Sequence, residues 1–280
     1  MMMSSSDFME CLNRDGAFKV PAAVDATWLA RAQRACTKAR AAPSPRGEEL
    51  DGFFSDLDTG DEDLRKLGRE GPVARIAAEA LGNDDVRFYH EHILVKDAGC
   101  ATVTPLHADA AYYPLDGGRV ISVWIALDHV GEDAALRFWR GSHAPPLLPK
   151  QGALWQPRRF ASGDLYDAES TPPSSSSFLP ASACEYAVAP VHPPDDVCEE
   201  ALFWACAPGD AIIFDANTLH WAKGNDASAW VRRAIAFRYA TPECRLARRP
   251  WESSPPFRWY THESSVDGAL TARGWLPGIP

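Results

Sequence analysis

The chain has 280 residues, with 28 Lys plus Arg against 38 Asp plus Glu, and a formal net charge of −10. Hydrophobic residues make up 46% of it, which supplies a packed core and excludes a disordered chain. The acidic balance argues against nucleic-acid binding, and no apolar run approaches the roughly 20 residues that a membrane-spanning helix needs.

The cysteines and the N-terminus indicate the compartment. The seven cysteines are an odd number without a C-x-x-C pair, and the N-terminus lacks the basic start and apolar stretch of a secretory signal. We therefore expect reduced thiols in a cytoplasmic protein.

A single domain is predicted over 1–280, with a helical part at 1–85, a core at 86–240 and a C-terminal extension at 241–280. The oligomeric state stays open.

Two helical regions are predicted in the first 85 residues. Asp25 can cap a helix, and a second helical region starts near Asp61, is interrupted at Gly71-Pro72 and ends at Gly82. The apolar face of the first helix carries Trp28, Leu29, Ala32, Ala35, Cys36 and Ala39.

After Gly82 the apolar period changes to that of strands. Residues 86–95 predict a strand with Phe88, His90, His92 and Leu94 on one face. Residues 120–127 are nearly all apolar, as in a strand that is buried on both faces. Further strands are predicted at 135–139, 211–214 and 231–239, and a loop at 171–178. Short strands with turn signals favour a mainly β fold with flanking helices, either a sandwich or a jelly roll.

One short motif suggests a metal site. In His107-Ala108-Asp109, alternate residues of a strand would point to the same side and could reach one ion. Chance alone predicts about one such triplet in this composition, so by itself it indicates a surface histidine near a solvated carboxylate.

Residues farther along the chain strengthen the interpretation as a metal site. His220 follows the strand at 211–214, and Arg232 begins the next strand. Two imidazoles and one carboxylate form the facial triad of non-haem Fe(II) oxygenases, which leaves three positions on the metal open. An arginine beyond the second histidine offers a planar fork for a carboxylate. Ordinary loop and strand-end roles for His220 and Arg232 are the alternative.

With these residues in place, the sequence resembles the phytanoyl-CoA dioxygenase family of Fe(II)/2-oxoglutarate-dependent oxygenases. The sequence segments that carry the resemblance follow the family's order over about 86–240. They are Thr104-Pro105-Leu106-His107-Ala108-Asp109 with Tyr112-Tyr113-Pro114, Val123-Trp124-Ile125-Ala126-Leu127-Asp128, Leu136-Arg137-Phe138-Trp139-Arg140-Gly141-Ser142-His143, Pro208-Gly209-Asp210, Leu219-His220, Asn225 and Arg232-Arg233-Ala234-Ile235.

The resemblance implies a fold, a catalytic metal centre and a co-substrate site. The fold is a double-stranded β-helix, a cupin-like jelly roll with helices outside. The implied Fe(II) ligands are His107, Asp109 and His220. Arg232 is implied to hold the distal carboxylate of 2-oxoglutarate, with Trp124 and His92 as further contacts. Core packing is the alternative for Trp124, and a hydrogen-bonded inward histidine for His92.

The sequence departs from the family's pattern in three places. Ala108 stands where Gln is frequent, Ala222 where Ser or Gly is frequent, and Arg140 where Pro is usual. A hydroxyl contact to the co-substrate is therefore expected to be missing at Ala222. The carboxylate of Asp109, which related halogenases replace by a small residue, implies hydroxylation of a C–H bond with release of succinate and CO2.

The substrate is expected to be a small organic molecule that reacts with O2. The stretch from 137 to 163 contains five cations and no acidic residue: Arg137, Arg140, Lys150, Arg158 and Arg159. Some of them could bind an anionic group of the substrate, or they could form a solvated basic surface. The aromatic residues nearby either line the site or pack in the core: Tyr112, Tyr113, Trp139 and Trp155.

Two alternatives to an oxygenase remain. The first is a non-catalytic jelly-roll module that binds a ligand or a regulator. The second is a cupin-like metalloenzyme that uses another metal without 2-oxoglutarate, in which Arg232 would have no role.

Overall fold

The computed structural model describes residues 4–158, 185–226, 229–246 and 249. The described helices are α1 (Ser5–Asp15), α2 (Ala26–Ala41), α3 (Glu62–Glu70), α4 (Pro72–Leu81) and α5 (Asp195–Glu200), with short 3-10 turns at Ala110–Tyr112 and Glu132–Ala134. The described strands are β1 (Ala17–Val20), β2 (Glu48–Leu50), β3 (Phe53–Leu57), β4 (Arg87–Lys96), β5 (Thr104–His107), β6 (Leu115–Asp116), β7 (Val120–Ala126), β8 (Arg137–Phe138), β9 (Leu154–Trp155), β10 (Tyr186–Ala187), β11 (Leu202–Phe203), β12 (Ala211–Asp215), β13 (His220–Ala222), β14 (Arg232–Ala240) and β15 (Arg245–Leu246).

Two antiparallel sheets form the body of the protein. The large sheet has seven strands in the order β1-β12-β7-β14-β4-β3-β2, and the small sheet has four in the order β11-β8-β13-β5. Their inner faces meet in one apolar cluster, in which Trp124 and Phe214 of the large sheet pack with Phe138 of the small sheet and with Leu136, which precedes β8. This arrangement is the predicted jelly roll.

Helices α1, α2, α3 and α4 cover the outer face of the large sheet. Along β7, Ile121, Val123 and Ile125 belong to the core beneath the helices, whereas Trp124 faces the small sheet. Because successive side chains of a strand alternate, a strand with apolar residues at nearly every position is buried on both faces, as predicted for 120–127.

The predicted helix boundaries are confirmed. The side chain of Asp25 accepts hydrogen bonds from the backbone N–H groups of Thr27 and Trp28, and Asp61 caps α3 in the same way. Gly82 ends α4 in the left-handed conformation, at φ 60°.

The first 85 residues are not only helical. Strands β1, β2 and β3 from this part join both edges of the large sheet. These strands are short, and β2 is exposed at every position, so they lack the apolar alternation by which strands are recognised. Helix α1 was also not predicted; it begins with a capping box between Ser4 and Asp7.

A β-bulge corrects the predicted face of β4. The register pairs Arg238 with His90 and Tyr239 with Phe88, so Tyr89 is an extra residue. Phe88 is thereby turned into the core beneath the helices, while His92 and Lys96 line the interior of the jelly roll. The prediction that Phe88 shares a face with His92 was therefore wrong.

The small sheet is built from shorter strands than predicted, because β8 spans only Arg137–Phe138 instead of 135–139. The predicted loop at 171–178, Arg159 and nearly all of the C-terminal extension lie outside the described residues. In the part of the chain that the structure describes, no helix has the length and hydropathy that crossing a bilayer requires.

Candidate active site

The two candidate metal histidines face each other across a strand pair. His220 of β13 lies directly opposite His107 of β5 in the antiparallel register, and their ring centroids are 4.2 Å apart. Both side chains are buried. Since directly paired residues point to the same face of a sheet, the ladder itself brings the two imidazoles together.

Each imidazole is oriented by a backbone carbonyl. His107 Nδ1 lies 2.8 Å from the carbonyl oxygen of Pro105, and His220 Nδ1 lies 2.9 Å from that of Thr218. A carbonyl oxygen can only accept, so both Nδ1–H groups donate. The Nε2 atoms therefore carry the lone pairs with which a histidine binds a metal ion.

The third candidate ligand, Asp109, does not lie on the strand. β5 ends at His107, and Asp109 has helical backbone angles (φ −68°, ψ −34°) at the start of the 3-10 turn. The predicted alternation along one strand was therefore wrong, and a turn aims the carboxylate instead. Asp109 Oδ1 lies 3.5 Å from His107 Nε2 and 3.9 Å from His220 Nε2.

The electrostatics of the three residues suit a divalent cation. Their ligand atoms all lie within 4.8 Å of one another. Burial opposes ionisation of Asp109, but the charge of the Arg238 guanidinium outweighs it and holds the pKa of the carboxyl well below its usual range. Burial, aided by His107, lowers the pKa of His220 to about 3. An anionic carboxylate beside a neutral imidazole is the protonation state that metal binding needs.

Sequence reasoning missed Arg238, a buried arginine that contacts Asp109. Its Nη2 lies 3.2 Å from Asp109 Oδ2, and its Nε donates to the hydroxyl of Tyr113 at 2.9 Å. A signal was present in the sequence, because Arg238 follows Arg232 at an even spacing on β14. Residues with that spacing on a strand share a face.

A cavity of about 280 Å³ extends from the three candidate ligands to Arg232. The side chain of Arg232 is buried, and its Nε has no hydrogen-bond partner among the described residues. Burial lowers the pKa of Arg232 to about 10. The neighbouring Arg233 points to the opposite face and pairs with Asp128 at 2.7 Å. Arg232 is thus the member of the arginine pair that faces the cavity.

The two further co-substrate candidates also line this cavity. The Arg232 guanidinium lies 5.4 Å from the centroid of the Trp124 ring, and Trp124 Nε1 has no hydrogen-bond partner in the described chain. His92 Nε2 lies 2.9 Å from Ser55 Oγ. Burial lowers the pKa of His92 to about 3, so the ring is neutral.

Lys96 is a second cation that sequence reasoning missed. It pairs in register with Arg232 and lines the same cavity. Its ammonium group donates to the carbonyl oxygens of Thr102 and Lys223, at 2.7 and 2.9 Å. Burial, together with the charge of Arg232, lowers the pKa of Lys96 to about 7.

The residues suggested as substrate contacts are not all at the cavity. Tyr112 lines it, and its hydroxyl donates to the carbonyl oxygen of Arg158 at 2.6 Å. Arg137 and Trp139 are not among the described lining residues. Arg137 lies 4.2 Å from the ring centroid of Phe203, and Trp139 packs in an apolar cluster on the small sheet.

The other described cations of the basic stretch have protein partners. Arg140 Nε lies 3.6 Å from Asp15, and Lys150 Nζ lies 3.1 Å from Glu185. Arg158 donates to the carbonyl oxygen of Ala189 at 2.6 Å. Of the remaining aromatic candidates, Tyr113 lines the cavity and Trp155 packs in the cluster on the small sheet.

Comparison with known proteins bears on this site. The family model described as phytanoyl-CoA dioxygenase (PhyH) matches residues 12–234. The chain belongs to the phytanoyl-CoA dioxygenase family. The match includes all three candidate metal ligands and Arg232, so the resemblance predicted from the motifs is confirmed.

Solved structures similar to this family member include two non-haem alpha-ketoglutarate-dependent enzymes. The epimerase SnoN, solved with Fe3+, alpha ketoglutarate and nogalamycin RO, has a TM-score of 0.71 at 18% identity, with 99% of this chain and 98% of that chain covered. The alpha-ketoglutarate-dependent carbocyclase SnoK has a TM-score of 0.63 at 18% identity, with 90% of each chain covered. EvdO2 from Micromonospora carbonacea var. aurantiaca, complexed with 2-oxoglutarate, has a TM-score of 0.59 at 20% identity, with 86% and 92% covered. A comparison with curated protein sequences found no match.

Proposed function

We propose that this protein is an Fe(II)- and 2-oxoglutarate-dependent dioxygenase that hydroxylates a C–H bond of a small organic substrate. In the balanced reaction, substrate, O2 and 2-oxoglutarate give the hydroxylated product, succinate and CO2. The observation that carries the proposal is the convergence of His107, Asp109 and His220 at one end of a cavity that is also lined by Arg232, a buried cation without a carboxylate partner among the described residues. Membership of the phytanoyl-CoA dioxygenase family supports it.

The residues fit the proposed metal and co-substrate. Two neutral nitrogen donors and one carboxylate are the ligand set of a non-haem iron site. The buried guanidinium of Arg232 has no carboxylate partner within the described residues, and Trp124 Nε1 is an unused donor beside it. A buried charge without a partner is costly, and a dicarboxylate in the cavity would supply one. Bound together, the metal and the keto acid would supply the oxidising chemistry.

The protein's own residues bind and orient the reactants. Arg232 would hold the distal carboxylate of 2-oxoglutarate, and Trp124 would donate a hydrogen bond to it. The histidines and Asp109 would hold the ion, and Tyr112 and Leu136, which also line the cavity, would help to exclude water. Such orientation and exclusion of water are the protein's usual part in cofactor chemistry.

The described mouth of the cavity favours an apolar part of the substrate. We define the mouth as six of the exposed or half-buried lining residues: Glu48, Leu50, Phe53, Leu57, Thr102 and Val103. Leu50 and Val103 are more than half exposed, although both are large apolar residues. Exposed apolar side chains at a cavity mark a ligand surface. The predicted binding of an anionic group by the basic residues of the 137–163 stretch stays a prediction.

An anaerobic titration tests the proposal first. Addition of Fe(II) and then 2-oxoglutarate should produce a weak visible charge-transfer band, which Asp109→Ala should abolish. Asp128→Ala removes a carboxylate from the opposite face of the large sheet and should keep the band. A non-catalytic module or a metalloenzyme without 2-oxoglutarate would give no band in the unmodified protein.

A substrate panel with succinate release as the readout then tests the reaction type. Mass analysis of the product distinguishes the outcomes, because hydroxylation adds one oxygen atom, ring closure removes two hydrogen atoms, and epimerisation leaves the mass unchanged. Succinate release coupled to a product without added oxygen would contradict the hydroxylase assignment and keep the broader one.

A further inference from the structure

The carboxylate of Asp109 has two oxygens in different surroundings. Oδ1 faces the Nε2 atoms of His107 and His220, at 3.5 and 3.9 Å. Oδ2 accepts a hydrogen bond from Ser122 Oγ at 3.2 Å and lies 3.2 Å from Arg238 Nη2. The carboxylate therefore presents one oxygen to the metal position and keeps the other engaged with the protein.

Arg238 is itself held in place by its other nitrogens. Its Nε donates to the Tyr113 hydroxyl at 2.9 Å, and its Nη1 donates to the carbonyl oxygen of Ala236 at 3.0 Å. The side chain is 5% exposed. Because two groups other than Asp109 hold the guanidinium, it cannot follow the carboxylate, and the carboxylate takes the orientation that Arg238 imposes.

We propose that Arg238 and Ser122 are positioning residues that hold Asp109 as a one-oxygen metal ligand and weaken its electron donation to the metal. The inference rests on the proposed function for its purpose, but the contacts that carry it lie between residues of the protein itself. A carboxylate that bound through both oxygens would take a fourth position on the metal, leaving two for the co-substrate and O2 where three are needed.

The second effect is electronic. A cation that hydrogen-bonds to the outer oxygen of a metal-bound carboxylate draws electron density from it. Without that cation the ligand would donate more strongly and the metal would be oxidised more easily. The charge-transfer band of the complex with 2-oxoglutarate reports this directly, because its energy falls as the metal becomes easier to oxidise.

The first measurement is the Fe(II) dissociation constant under anaerobic conditions, without 2-oxoglutarate. Arg238→Gln should weaken Fe(II) binding by about 10- to 100-fold, the usual effect of losing a group that orients a ligand, because this loss outweighs the stronger donation of the released carboxylate. Arg238→Lys, which keeps the charge, should weaken Fe(II) binding less than Arg238→Gln does. Ser122→Ala removes a single hydrogen bond and should raise the Fe(II) dissociation constant about three- to tenfold. Arg233→Gln, on the outer face of the same strand, is the matched control and should bind as the unmodified protein does.

The second measurement is the position of the charge-transfer band at saturating Fe(II) and 2-oxoglutarate. Arg238→Gln should move the band to longer wavelength, whereas Arg233→Gln should leave it in place. Unchanged metal affinity and an unchanged band in Arg238→Gln would overturn the proposal. If that variant does not fold, an unchanged dissociation constant in Ser122→Ala overturns it.

The two measurements separate this inference from the proposed function. An unmodified protein that binds Fe(II) but shows no band with 2-oxoglutarate would contradict the oxygenase assignment, and the metal affinities of the variants would still decide the role of Arg238.

Discussion

Arg232 and Arg233 are consecutive residues of β14 whose side chains leave the strand on opposite faces. Arg232 is buried at the cavity beside Trp124, whereas Arg233 forms a two-point ion pair with Asp128 on the helix-covered side. The alternation of a strand therefore separates two identical side chains into a candidate ligand-binding residue and a structural one. This pair supplies an internal control for any test of the cavity.

Arg232→Gln is expected to weaken binding of 2-oxoglutarate by about 100-fold, because a buried bidentate partner of a carboxylate is lost. Titration of the charge-transfer band under anaerobic conditions gives the dissociation constant without a known substrate. Arg233→Gln should change it less than twofold. Equal effects of the two substitutions would show that Arg232 has no special role.

Trp124→Phe separates the packing role of this residue from a role at the co-substrate. Phenylalanine keeps an aromatic face under the Arg232 guanidinium but lacks the Nε1–H donor, which is unpartnered among the described residues. The loss of one hydrogen bond should raise the dissociation constant of 2-oxoglutarate about two- to tenfold. Trp230→Phe, at a position that is 74% exposed, is the control. An unchanged affinity in Trp124→Phe would leave packing as its role.

Metal binding should stabilise the protein. The three candidate ligands are buried together, and they form a site only in the folded chain. Fe(II) at 100 times its dissociation constant is expected to add about 2.7 kcal/mol to the free energy of unfolding, and chelation should remove it. Anaerobic chemical denaturation with and without chelator measures the difference. His220→Ala should show no difference between the two conditions. A similar difference in that variant would place the metal elsewhere.

Much of the fold could be predicted because its signals are local. The cap at Asp25, the stop at Gly82 and the doubly buried strand β7 each depend on a few neighbouring residues. The bulge at Tyr89 could not be predicted, because it arises from pairing with β14, which is distant in the sequence. That single extra residue reverses the face of Phe88.

The site was predictable in composition but not in geometry. The types and order of His107, Asp109 and His220 indicated a metal centre, but the turn that aims Asp109 was taken for a strand. The cross-strand pairing of the two histidines depends on β13, which has only three residues and no apolar alternation of its own. The contacts of Arg238 and Lys96 could not be predicted either, because they are made to residues that are distant in the sequence and come close only in the folded sheet.

Lys96 is expected to make stability depend on pH in the alkaline range. The unfolded chain keeps the Lys96 proton up to the ordinary pKa of 10.5, whereas burial and the charge of Arg232 lower the pKa in the folded protein to about 7. Between these values the unfolded state binds more protons, so the contribution of Lys96 to the free energy of unfolding rises with pH, by up to about 1.4 kcal/mol per pH unit. It is lost again as the pH falls toward 7.

The difference in the free energy of unfolding between the unmodified protein and Lys96→Met isolates this contribution, because the other titrating groups are common to both. Chemical denaturation at pH 7, 8 and 9 should show the difference shifting in favour of the unmodified protein at each step. The hydrogen bonds from Lys96 to the carbonyl oxygens of Thr102 and Lys223 add a part that does not vary with pH. A difference that stays constant from pH 7 to 9 would mean that these carbonyl groups keep the ammonium charged inside the protein.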